Sequence, residues 1–382
     1  MTKTEDSQMI DKMTDVPRPG YFIREELEAR DWSQRDLAYV LGVPEQAVNL
    51  IISGKRGITA DMAKALAGAF DVPPEFFANL QKAYDLSQAR DPDPNVVRKA
   101  RLQSQYPIRE MIKRGWLTDV NVTLLEAQVV KFFDVPSLDD VPHLAHAAKK
   151  STCDDVTPAQ LAWLYRARQI AKEMPLKHHY SEKALREALN KLRLLMFDPE
   201  EARHVPRILA EVGVRYVIVE TLPTAKIDGA CFWLGKAPVI GMSVRYDRID
   251  NYWFVLRHEI EHVLQSHGRD KEIVDAELEG EKASPDGNIP IEERIANAAA
   301  SEFCVPAHEM DSFIKRKNPF FSDRDVLGLA KRLQVHPGIV AGQLRRRLDK
   351  WSIFSKMLVK VRSHAVSGAA VDGWGQIAPV SL

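Results

Sequence analysis

The chain has 382 residues, 45% of them hydrophobic, which is long enough for two or three domains and apolar enough for packed cores. Lys and Arg number 53 and Asp and Glu number 53, so no overall charge draws the chain to nucleic acid, a membrane surface or acidic substrates. Three widely spaced cysteines, Cys153, Cys231 and Cys304, argue against a disulfide scaffold and against cysteine as a metal ligand. No apolar run is long enough to span a bilayer and no signal-peptide pattern opens the chain, so a cytoplasmic protein without a membrane partner is expected.

Residues 1–16 are polar and read as loose. Phe22, Ile23 and Leu27 mark a first helix. Ser33 reads as an N-cap with Asp36 at the third helical position, and Gln34 to Leu41 follow as a second helix. Gly42 comes directly after the last apolar residue, where a left-handed turn fits. A third helix opens at Pro44 and runs to Ile52, Ser53 to Arg56 close it, and Thr59 caps another through Phe70. Two short helices joined by a tight glycine turn form the helix-turn-helix plan, with the second helix lying in the major groove. Its outward residues Glu45, Gln46 and Asn49 include amides that can pair with adenine edges. Gln34, Arg35, Lys55 and Arg56 are placed to contact phosphate. Between residues 17 and 84, eight Lys and Arg are set against nine Asp and Glu. DNA affinity therefore rests on basic residues gathered on one side and on a homodimer reading paired half-sites. The plainer alternative is a helical protein-interaction module.

Trp32 to Ala38, Leu41-Gly42-Val43, Gly54 to Thr59, and Ala67 to Gln81 with Pro74-Glu75-Phe76-Phe77 resemble the XRE-type helix-turn-helix, in particular its HigA-like antitoxin branch. The resemblance covers most of residues 17–86. It implies a five-helix, lambda-repressor-like domain, a double-stranded DNA operator as partner, and a role in transcription regulation.

The Pro- and Asp-rich stretch from Asp85 to Asn95 marks a boundary. Residues 95–200 then read as a helical connector. Pro107–Trp116 is one helix, and Thr157, Pro158 and Gln160 form a capping box that opens another. Leu185, Leu189, Leu192 and Leu195 recur at helical spacing in a third. Trp163 and Tyr165 read as core and core edge, and the basic residues as a solvated face.

After Asp198-Pro199 the pattern changes to a short helix from Val205 and three strand-like runs, Val214–Glu220, Lys226–Leu234 and Ala237–Ser243. Gly229 to Trp233 is expected to be an edge strand open to an extended peptide. A helix over Asn251–Ser266 then carries His258-Glu259-Ile260-Glu261-His262. The two histidines are four residues apart and share one face, so both imidazoles can hold one metal, with Glu259 beside them to polarise its water. Zn2+ suits the arrangement, since a catalytic site takes three protein ligands and keeps a position for water. Glu293 and Asn297 share a face of the next helix; one would bind the metal and the other steady a ligand. The chemistry expected is metal-assisted peptide hydrolysis, with Glu259 taking a proton from water and passing it to the leaving amine. His336, His267 and Tyr246 are read as structural or surface groups rather than oxyanion helpers. The loop from His267 to Pro290 is either a cover over the site or a plain insertion.

Ile227-Asp228-Gly229-Ala230, Tyr246 to Asn251, the HExxH run, and Glu293 to Asn297 leading to Pro306 resemble the ImmA/IrrE metallopeptidase family over roughly 205–310. That resemblance implies zinc on His258, His262 and Glu293, Glu259 as general base, and a helix-turn-helix repressor as the protein substrate. The expected fold is mainly α with a small β-sheet. It comprises a helix-turn-helix domain at 17–86, the helical connector at 95–200, an α+β zincin-like domain at 203–350, and a tail at 351–382. The functional expectation is a DNA-binding regulator with a zinc endopeptidase domain. The alternative is a non-catalytic HigA-like antitoxin or repressor whose peptidase-like domain serves sensing or partner binding.

Overall fold

A computed structural model describes residues 16–138, 157–269, 273–276 and 290–373. The chain divides into two compact units, Met1–Pro94 and Asn95–Leu382. Residues 1–15 and most of the 267–290 loop lie outside the described residues.

The first unit has the five expected helices: α1 (Pro19–Ala29), α2 (Gln34–Leu41), α3 (Glu45–Ile52), α4 (Ala60–Phe70) and α5 (Pro74–Gln88). Local chemistry sets their ends. The Ser33 hydroxyl accepts the Asp36 N–H while the Asp36 carboxylate accepts the Ser33 N–H at 2.8 Å, the reciprocal capping box. Gly42 ends α2 at φ +67°, a conformation that a side chain would strain. Thr59 caps α4. Ile23, Leu27, Leu37, Val48, Leu66, Phe70 and Phe77 form the core. α1 crosses the end of α3 at Gly20, where a Cβ would meet the Ile52 carbonyl oxygen at 2.3 Å.

The second unit is built on a five-stranded sheet in the order β4-β2-β3-β1-β5. Its strands are β1 (Arg215–Val219), β2 (Ile227–Leu234), β3 (Ala237–Met242), β4 (Ile273–Ala276) and β5 (Ala370–Asp372). β1 runs parallel to β3 and β5, and β2 runs antiparallel to β3 and β4. Alternation assigns the two faces. Tyr216, Ile218, Cys231, Trp233, Ile240 and Met242 enter one core, and Val217, Val219, Ala230, Phe232 and Val239 enter the other.

Helices α6 (Pro94–Gln105), α7 (Ile108–Lys113), α8 (Val122–Phe133) and α9 (Pro158–Glu173) cover that second face. Trp163 on α9 is fully buried there and donates its indole N–H to the Val219 carbonyl at 2.8 Å. Much of the stretch read as a connector is thus one wall of the sheet's core. The capping box of Thr157 and Gln160 opens α9 as expected.

On the other face lie α10 (Glu182–Leu195), α11 (Val205–Glu211), α12 (Ile249–Leu264), α13 (Ile291–Cys304), α14 (Ala307–Lys317), α15 (Asp323–Leu333) and α16 (Pro337–Leu348). α12 is buried along its whole length, the mark of a helix packed on every side. The tail contributes β5, where Asp372 accepts the Trp116 indole N–H at 2.8 Å and pairs with Arg166.

One expectation is corrected. Gly229 to Trp233 lies on β2, which is not an edge strand, because β4 pairs with it opposite β3. The short segment that covers it, Ile273–Ala276, comes from within the polar loop. Among the described residues no helix is long and apolar enough to cross a membrane.

Candidate metal centre and helix-turn-helix face

His258 and His262 stand one turn apart on α12, with their Nε2 atoms 3.0 Å from each other. Glu293 on α13 completes a triangle: Oε2 is 3.3 Å from His258 Nε2 and Oε1 is 3.5 Å from His262 Nε2. Ligands about 2.0–2.1 Å from a tetrahedral ion stand about 3.3 Å apart, so the spacing suits one ion. Both histidines are wholly buried and Glu293 nearly so. Burial alone would raise the Glu293 pKa, but hydrogen bonds from His258 and His262 outweigh it and hold the carboxyl well below the usual range. Two imidazoles and an ionised carboxylate form a donor set suited to zinc.

Glu259, next to His258 on α12, lies against β2 and is fully buried. A Cβ at Gly229 would sit 2.1 Å from its Oε1 and 2.9 Å from its Cγ. Glycine is therefore needed for Glu259 to lie against the strand. The neighbouring Asp228 pairs with Arg245 at 3.2 Å, and Arg245 in turn donates to the Tyr246 hydroxyl at 3.1 Å.

Asn297, one turn beyond Glu293, lines a cavity of about 800 Å³ together with Ser301, Gln343 and Arg346. Its amide oxygen is buried with no hydrogen-bond partner among the described residues. Arg346 stacks 4.1 Å above the ring of Phe254, one turn before His258 on α12. His336 caps α16, its Nδ1 accepting the Gly338 N–H at 3.0 Å. The Nδ1 of His267 lies 3.0 Å from Nδ1 of His262.

Sequence reading did not foresee the roles of Gly229, His267 and Arg346 around the cluster. Only His267 left a signal, as a third histidine five residues after the motif. The contacts of the other two join segments distant in the chain.

In the first unit Arg35, Glu45, Gln46, Asn49, Lys55 and Arg56 are exposed, and Gln34 is half-buried. Asn49 donates to the Gln34 side-chain oxygen at 3.4 Å, linking α3 to the start of α2.

The helix-turn-helix family model matches residues 23–77, and the IrrE N-terminal-like domain model matches residues 211–345. The chain is 40% identical over 88 residues to virulence-associated protein A' of Dichelobacter nodosus, covering 23% of this chain and 76% of that protein. It is 32% identical over 94 residues to the uncharacterized HTH-type transcriptional regulator YddM of Escherichia coli (strain K12), covering 25% and 99%. An addiction module antidote protein of a HigA family from Coxiella burnetii is 37% identical, with a TM-score of 0.19, over 23% of this chain and 92% of that one. Fold and matches together define a DNA-binding regulator of the helix-turn-helix type joined to a metallopeptidase-like domain. The chain belongs to the XRE-type helix-turn-helix regulators and carries an IrrE N-terminal-like domain.

Proposed function

We propose that this regulator binds a double-stranded DNA operator through its first unit and hydrolyses a peptide bond in a protein target through a zinc centre in its second. The observation that carries the reading is the convergence of His258, His262 and Glu293 at 3.0–3.5 Å, buried, with Glu259 beside them. His258 and His262 would bind the ion through Nε2 and Glu293 through its carboxylate. Zinc held there supplies a Lewis acid and an acidified water.

Glu259 would hold the proton of the attacking water on its carboxylate and return it to the leaving amide nitrogen. Packing against Gly229 restricts the positions its side chain can take. The cavity along α13 and α16 would seat part of the target chain. Family resemblance points to a helix-turn-helix repressor as that target. On the DNA side, Gln46 and Asn49 would read bases, while Gln34, Arg35, Glu45, Lys55 and Arg56 would frame the contact, in a homodimer that reads two half-sites.

The test is elemental analysis of the purified wild type beside His262→Ala. About one zinc per wild-type chain, lost in the variant while circular dichroism is unchanged, is the expected result. A wild type that takes up no stoichiometric zinc, even when supplied with it, would sink the peptidase reading and leave a non-catalytic regulator.

A further inference from the structure

We propose that His267 is a positioning residue for the metal centre, fixing the tautomer and ring orientation of His262. The inference rests on the zinc reading above. For Nε2 of His262 to offer a lone pair to an ion, that ring's proton must sit on Nδ1. Nδ1 of His262 faces Nδ1 of His267 at 3.0 Å. His262 then donates, His267 accepts, and the proton of His267 lies on its own Nε2.

The backbone is built to hold His267 at that place. α12 ends at Leu264, and Ser266 at φ +57° turns the chain. The His267 N–H donates to the His262 carbonyl at 2.8 Å. Its carbonyl accepts the Trp233 indole N–H at 2.8 Å, which ties the turn to β2. Gly268 follows at φ +74°, where a Cβ would lie 2.5 Å from the Cys231 carbonyl oxygen. Chain reversal and close approach to the strand thus combine to swing one imidazole behind the other. A neutral acceptor in this position orients the ligand without adding charge to the site.

The experiment measures zinc affinity of the full chain by competition with a chromophoric chelator, for wild type, His267→Leu, His267→Asn and His267→Gln. Apo-protein melting and circular dichroism serve as fold controls. Asn places its oxygen where Nδ1 stands, whereas Gln places its oxygen nearer Nε2. Leu and Gln should weaken zinc binding by about 10- to 100-fold, the range for lost ligand-orienting partners, and Asn should restore most of it. A purely structural role would instead follow apo stability and would not separate Asn from Gln. Should His267→Leu fail to fold, the two polar variants decide the matter. Unchanged affinity in Leu or Gln, or an Asn variant as weak as Gln, would overturn the inference alone. A wild type with no zinc affinity would overturn the zinc reading and the inference with it.

Discussion

Replacing Gly229 with alanine tests whether Glu259 is held against the sheet. The added methyl would stand 2.1 Å from Glu259 Oε1, 2.7 Å from Cδ and 2.9 Å from Cγ. An ordinary carbon–oxygen contact is about 3.3 Å, so the carboxylate must retreat by about 1 Å. Glu259 is fully buried, so that retreat displaces packed neighbours. Overpacking of this kind costs about 1–3 kcal/mol, and a unit of this size loses somewhat under about 2 °C in Tm per kcal/mol. The assay is calorimetric unfolding of the metal-free chain as a double-mutant cycle with Glu259→Ala, which removes all three clashing atoms. In that background Gly229→Ala should cost less than about 0.5 kcal/mol, giving a coupling of about 1–2 kcal/mol. Additive losses would show that the clash is absorbed elsewhere and that Glu259 is not fixed by the strand.

Asn49→Ala should cost about 1–3 kcal/mol on a selected operator and flatten base preference at one position. Lys55→Ala should weaken all duplexes alike and lessen the salt dependence. Fluorescence anisotropy on matched and mismatched duplexes separates the two, and unaltered discrimination by Asn49→Ala would refute a reading role. A pH dependence is expected from His336. Burial lowers its pKa below 6.5, with Asp198 pulling the other way more weakly, and its Nδ1 accepts a bond that an imidazolium could not. The folded state therefore binds fewer protons than the unfolded one. Its stabilisation is full above the unfolded value and drains as pH falls through 6.5 toward the lower folded pKa. Urea midpoints across that window should fall more steeply for wild type than for His336→Asn; equal slopes would exclude the effect.

Much of the local structure was legible in the sequence, because it depends on contacts within a turn or two of chain. The capping boxes at Ser33 and Thr157, the left-handed glycine at position 42 and the i, i+4 spacing of His258 and His262 are features of this kind. Sheet order was not legible, since strand neighbours are chosen by which loops can close and which faces need cover. β4 therefore takes the side of β2 expected to be open, and β5 arrives from the tail to flank β1. The helices of the supposed connector cover the sheet because its second face is apolar and must be buried. Around the metal cluster the same division holds. Periodicity aligned the two imidazoles, whereas only tertiary packing set the Glu293 carboxylate 3.3 Å from His258, Glu259 against Gly229, and His267 behind His262.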